Sequence, residues 1–298
     1  MVLVLVASLA RSAETQAPAT VESTYPGLVS GVLVSATLGD LPEGLLLRAG
    51  KVEIAAKALD DLLAKSPRAL REQLRKNAVF LLDELAAEKL LLQAAADAAA
   101  KTQQELAGKA DKEVIAAHLD SVLAKVRVTE AEADDFYRKN RDTFGVASLE
   151  SAIPQIVEFL LGEKREAATR QYVRGLGKTY PITVSAPWVK EKAVLARDNP
   201  VDKARASGMP TMVDFGADGC RPCDLMAPVL RKLAKKHQSK ANVLFVHVQK
   251  EQILAARYAI TTIPVQVFFD KDGKEFFRHI GFFAEDEIEK KLAEAGVQ

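Results

Sequence analysis

Two cysteines in 298 residues are too few for a disulfide scaffold and supply at most half the ligands of a structural zinc site. The four histidines are scattered, and none is spaced beside the cysteines to complete such a site, so neither a metal nor a cofactor is expected. Charge of one sign is also lacking: 41 basic against 40 acidic residues leave a net charge of +1. Nucleic acid, or an anionic surface held mainly by charge, is therefore not expected as a partner. No apolar run reaches the roughly 20 residues of a membrane-spanning helix, which leaves an uncleaved N-terminus as the only expected membrane tether. What the chain does have is 48% apolar residues, enough for packed cores and too many for disorder. At this length two domains are the default.

The chain opens on Met1–Ala10, a short apolar run ending in small residues, followed by a polar tail to about Ser23. Such a run followed by Ala10-Arg-Ser12 reads as the hydrophobic stretch and cleavage site of a secretory signal, without its basic leader. Export, into a periplasmic compartment, is the expectation; a chain whose start is not a signal would be cytoplasmic. A second apolar stretch, Gly27 to Leu38, is too short to span a bilayer. Residues 1–39 are assigned to this start and a linker.

Residues 40–188 read as a mostly helical domain. Leu45–Arg48 and Val52–Ile54 form two short strands around a Gly turn. Ser66-Pro67 starts a helix running to about Ala100, with Leu70, Leu74, Leu81 and Leu85 at helical spacing. Asp111 can cap a further helix, and Thr129-Glu-Ala-Glu132 is a capping box. A long helix spans Ser148 to about Lys178, with Pro154 tolerable near its start. The strand Ile182-Thr-Val184 is expected to pair back with Val52-Glu-Ile54. Residues 185–200 are expected to connect to the second domain, with Trp188 as a packing residue.

On these features the segment resembles the N-terminal chaperone domain of SurA and parvulin-type periplasmic foldases. The resemblance rests on the Leu-rich helix 67–100 and on Val128-Thr-Glu-Ala-Glu132, Phe136-Tyr137, Asn140 and Phe144. It rests also on the following helix with Ile153-Pro-Gln-Ile156, Leu160 and Lys164. Only Gly145-Val-Ala147 stands where that family commonly carries a prolyl isomerase domain, so no isomerase is expected. The resemblance implies a surface that holds unfolded clients; the alternative is an unrelated bundle used for dimerisation or as a spacer.

From Val201 strands and helices alternate, the pattern of an α/β sheet covered on both faces, and residues 189–298 are assigned to this second domain. The fold class is thus a two-domain α plus α/β chain. Both cysteines fall in Met212-Val-Asp-Phe-Gly-Ala-Asp-Gly-Cys-Arg-Pro-Cys223, a buried strand and turn leading into a helix. A cysteine ahead of a helix meets unpaired N–H groups and the positive end of the helix dipole, which favour thiolate. Pro222 presets the first turn, and Arg221 adds a positive charge beside the sulfur. Cys220 is the expected nucleophile, with Cys223 resolving the mixed disulfide. A structural disulfide or an idle thiol pair is the bland alternative.

This spacing resembles the thioredoxin family, which implies more. Asp214, six residues before Cys220, matches the family's buried carboxylate and would accept the Cys223 proton. Pro228 matches its helix-kinking proline. Ile263-Pro264 matches its cis-proline loop, whose backbone, with Arg221 beside the nucleophile, would bind extended substrate. Three departures stand out. Gly216 and Gly219 replace flanking tryptophans, implying an open and less apolar rim. Arg-Pro replaces Gly-Pro, implying a more oxidising pair, and Phe245 replaces a lysine near the carboxylate. The expected function is a thiol–disulfide oxidoreductase acting on protein disulfides or thiols and recharged by a redox partner. The competing reading is a chaperone or scaffold using the fold as a peptide-binding module.

Overall fold

The computed structural model describes residues 18–103, 105–144 and 148–298, with the side chains of 142 and 143 left aside. The apolar run Met1–Ala10 lies outside the described residues, as does the Gly145–Ala147 junction.

In the first region four short strands form one sheet: β1 (Thr37–Gly39), β2 (Leu45–Ala49), β3 (Val52–Ala55) and β4 (Thr183–Ser185), ordered β1-β4-β2-β3. The β2–β3 hairpin turns through Gly50, whose φ of +60° lies in the left-handed region open to glycine. β4 closes the region as expected, but on different partners: it lies parallel to β1 and antiparallel to β2 rather than against Val52–Ile54. β3 is therefore an edge strand, paired with β2 alone.

The assignment of residues up to 39 as linker is corrected for its described part. Val21, Leu28, Val29, Val32 and Leu33 are buried in the core of this region, and β1 extends its sheet. The physical reason is that an apolar stretch too short for a bilayer must still leave water, and here it packs on the long helix behind it. Its irregular backbone needs partners once buried. Asp83 provides them, accepting the N–H groups of Ser30, Gly31 and Leu33 at 3.2, 2.7 and 2.8 Å. Gly31 allows that approach, since a Cβ there would stand 2.9 Å from the Asp83 carboxylate.

The expected helix from Pro67 to Ala100 is two helices, Arg68–Lys76 and Ala78–Thr102, broken at Asn77, and it follows an earlier helix Ala56–Lys65. Val79, Leu82, Ala86 and Leu90 make the buried stripe of the longest of these. Helices Asp111–Val122, Glu130–Lys139 and Arg141–Phe144 follow, then the long helix Leu149–Thr179. The capping box is present: Glu132 N–H donates to Thr129 Oγ1 and Thr129 N–H to Glu132 Oε2. Ala133, Tyr137, Ala152 and Ile156 form a small core of their own where helices 130–139 and 149–179 meet. The connection expected at 185–200 is mostly helix, Ala186–Ala196, because Val189, Ala193 and Ala196 have an apolar face to bury against the first core.

The second region is a four-stranded sheet of β5 (Thr211–Gly216), β6 (Asn242–His247), β7 (Val265–Phe269) and β8 (Glu275–Ile280), ordered β6-β5-β7-β8. β5 runs parallel to β6 and antiparallel to β7. The alternation of side chains along a strand splits its core in two. Met212 and Phe268 face helices Arg221–His237 and Glu285–Glu294, while Val213, Phe215 and Val267 face helices Pro200–Arg205 and Gln252–Arg257.

The two regions are docked through built contacts. Arg257, with a fully buried side chain, donates to Asn77 Oδ1 at 3.2 Å and to Ala196 O at 2.9 Å, and pairs with buried Asp202. Gln73 donates to Lys250 O and accepts from Ile253 N–H. Leu74, Phe80 and Ile253 close an apolar patch beside them.

Candidate functional site

β5 is the base of the site. Its alternation puts Met212, Asp214 and Gly216 on the face covered by helix Arg221–His237. Cys220 is the N-cap of that helix, with Arg221 exposed and Pro222 in its first turn. Cys220 and Cys223 are joined as a disulfide. Cys223 N–H points at Cys220 Sγ, 3.3 Å away. That is the arrangement by which a helix N-terminus stabilises a thiolate once the bond is reduced. Cys223 is buried, and Cys220 is the more accessible of the two. Accessibility and position both distinguish Cys220 from Cys223.

Asp214 is fully buried two residues before Gly216, and a Cβ on Gly216 would touch Cys223 Sγ at 3.4 Å. One carboxyl oxygen accepts from Gln266 Nε2 at 2.7 Å, while the other is buried without a partner. Burial pushes its pKa up to about 6, with the Gln266 bond pulling weakly the other way. A carboxyl poised there can take a proton near neutral pH.

The Ile263–Pro264 peptide bond is cis. Val265 is paired with Phe215, so Pro264 lies at the same sheet end as the loop carrying the cysteines. Pro228 falls inside helix Arg221–His237. Among the described residues no group of acidic, His or Cys side chains is placed to hold a metal ion.

At Gly216 the rim departs from the open, less apolar form expected, whereas Gly219 has open space beside it. Phe245 reaches over Gly216, its ring edge 3.0 Å from where a Cβ would stand. The missing side chain at 216 and the phenyl group at 245 are thus one compensated change. Phe245 itself is half exposed, so the ring supplies apolar surface beside Cys223.

Three further residues take part in or around the site. Gln266 could have been found, since a lone polar residue in Val-Gln-Val-Phe-Phe sits where a buried strand needs apolar ones. His247 Nε2 meets Asp218 Oδ2 at 3.1 Å, tying the turn before Cys220 to β6. Thr261, in the loop before Pro264, meets Glu166 of the long helix, and nothing in the sequence joins residues 95 apart.

Comparisons with known proteins point to one family. Residues 198–296 match the thioredoxin-like domain family. The chain is 34% identical over 99 residues to thioredoxin of Staphylococcus aureus, covering 33% of this chain and 93% of that protein. Among solved structures, a mutant thioredoxin of Halobacterium salinarum is 28% identical, with a TM-score of 0.30 and coverage of 33% of this chain and 83% of that one. Fasciola hepatica thioredoxin is 34% identical with a TM-score of 0.27, covering 30% and 82%.

Proposed function

Because this chain belongs, through its C-terminal region, to the thioredoxin family, we propose that it exchanges disulfides with proteins through Cys220 and Cys223. The observation carrying this is the cysteine disulfide at a helix N-terminus beside a buried, half-partnered Asp214. In the reducing direction, the Cys220 thiolate attacks one sulfur of the client's disulfide, and the other leaves as thiolate. The Cys223 thiol then gives its proton to Asp214 and attacks Cys220 Sγ, breaking the mixed bond and releasing the second client sulfur. Two electrons pass to the client, and the Cys220–Cys223 bond re-forms. The reverse sequence oxidises a client dithiol; the potential of the pair and the partner that recharges it set the direction. Ile263 and Pro264, with Arg221 at the nucleophile, would hold the client chain.

The first region is read as a client-holding surface, on the part-exposed Phe159 packed at a tilt against Phe136 beside the small core at 133–156. Export is part of the same reading, on the apolar run Met1–Ala10; fusing residues 1–39 to a reporter active only outside the cytoplasm checks it.

Reduction of insulin disulfides by the reduced full chain tests the redox reading. Turnover by wild type and none by Cys220→Ser is the expected result; a wild type without turnover overturns it. The cysteine-free full chain should still slow aggregation of an unfolded client, and less well with Phe159→Ser.

A further inference from the structure

The loop from Ile260 to Pro264 is held at both ends by backbone. Ile260 N–H donates to Ala255 O at 3.0 Å, and Pro264 O accepts from Gly281 N–H at 2.8 Å. Between these anchors, among the described residues, one hydrogen bond remains: Thr261 Oγ1 donates to Glu166 Oε2 at 2.5 Å. The N–H and C=O of Ile263 have no partner among the described residues, and Ile263 is part-exposed. An extended chain approaching there finds a free backbone donor and acceptor, the requirement for strand-like pairing.

The tether comes from outside the redox fold. Glu166 stands on helix Leu149–Thr179, whose C-terminal half is fixed in the first core. Leu176 is buried there, Arg174 Nε donates to Ser30 O at 2.7 Å, and Gly177 lies so close to Val32 O that a Cβ would not fit. Ten residues of helix between Glu166 and Leu176 span about 15 Å, so the carboxylate is presented on a short, rigid lever. The buried Arg257 contacts to Asn77 and Ala196 and the Gln73 contacts keep that lever in register with the second sheet. Arg170, one turn further on, reaches the same Glu166 oxygen at 3.4 Å and aims it.

We propose that Glu166 is a positioning residue for the redox site. Through Thr261 it sets the loop ending at Pro264 to receive the extended chain of a protein disulfide. The helical region then forms one wall of the client site rather than a freely tethered arm. This rests on the disulfide-exchange reading, and a binding measurement keeps the two separable.

The test uses the full chain as wild type, Glu166→Ala, Thr261→Val, the double variant and Thr261→Ser. Glu166 is part-buried and Thr261 exposed, and both single variants should keep the wild-type melting temperature. With insulin as substrate, KM should rise about three- to tenfold in each single variant, the loss of one hydrogen bond to a charged group at a wet site, while kcat stays put. The double variant should be no worse than either single one, and Thr261→Ser, which keeps the hydroxyl, should match wild type. Rates with a small aromatic disulfide, which needs no strand pairing, should not change. Independently of turnover, a fluorescent, alkylated insulin B chain should bind the oxidised Glu166→Ala protein with a Kd raised by the same factor. An unchanged Kd, effects that multiply in the double variant, or equal losses with the small disulfide would overturn the role of Glu166. A wild type inactive on both disulfides removes the redox reading and leaves the Kd comparison to decide.

Discussion

The two regions each bury an aspartate completely, and the surroundings of the two carboxyls differ. Asp83, in the helical region, accepts three backbone N–H groups from residues 30–33, with Arg174 adding a favourable field. Asp214, in the redox region, accepts one side-chain amide and leaves its second oxygen without a partner. Desolvation dominates at both, and both pKa values are pushed up to about 6. Equal pKa values therefore conceal unequal jobs. A carboxyl saturated by backbone donors is a fastener for an irregular segment. One left half-satisfied beside a cysteine has an oxygen free, as the proposed exchange requires of a proton acceptor.

Removing each carboxyl separates the jobs, with Asp83→Ala the larger disturbance. It strands three N–H groups, that of buried Leu33 and those of part-buried Ser30 and Gly31, and a buried unsatisfied donor costs on the order of 1–3 kcal/mol. At pH 5 a loss of about 3–5 kcal/mol is expected in chemical denaturation, with some orphans recovering water. At pH 8 the loss should shrink, because the variant also escapes burying a charge. The segment 28–33, whose only such side-chain acceptor among the described residues is Asp83, should become susceptible to protease first. A variant as stable as wild type at pH 5 would make Asp83 incidental.

Asp214→Asn should move stability the other way. The folded-state pKa, about 6, exceeds the ordinary 3.8, so between those values the folded chain holds more protons than the unfolded one. Stability contributed by this group is present below about pH 4 and is lost as pH rises through 6. Two units correspond to roughly 3 kcal/mol as an upper figure, so the variant should gain about 2–3 kcal/mol at pH 8 and nothing at pH 4. The same pH slope is expected for Asp83→Ala with a different intercept, since only Asp83 leaves donors behind. Release of a trapped mixed disulfide, followed by quenched-flow alkylation, should slow at least tenfold at pH 7 for want of the proton acceptor. A gain without that slowing would strip Asp214 of its chemical role.

How much of this was legible in the sequence follows the range of the interactions. The second fold could be read because strand alternation, the cysteine spacing, Asp214 and Ile263-Pro264 are local patterns in the chain. The capping box at Thr129 and the hairpin at Gly50 were legible for the same reason. Long-range pairings were not. β4 chose β2 rather than β3, and Gly27–Leu38 became core because Asp83, fifty residues on, satisfies its backbone. At the site, Phe245 and Gly216 were read as two separate losses, whereas their side-chain volumes compensate across adjacent strands. Glu166 meets Thr261 only because the docked regions place them together.

The smallest effect is the one that most sharpens the comparison, since it changes only the partner count at Asp214. Gln266→Leu fits the apolar environment of β7 and removes the single donor that Asp214 has. It also removes Gln266 Oε1, a buried acceptor without a partner. The lost hydrogen bond and the relieved orphan largely cancel, so stability should change by no more than about 1 kcal/mol. The chemistry should not be so indifferent. The Gln266 bond favours the charged form of Asp214, and without it the carboxyl holds its proton to higher pH. A proton acceptor must be ionised before it can accept, so the pH midpoint of the resolving step should move upward while its high-pH plateau is kept. Measured against Asp214→Asn, which should lose the midpoint altogether, that displacement marks Asp214 as the titrating group. An unchanged midpoint would assign the proton to another acceptor, with the His247–Asp218 pair the next to test.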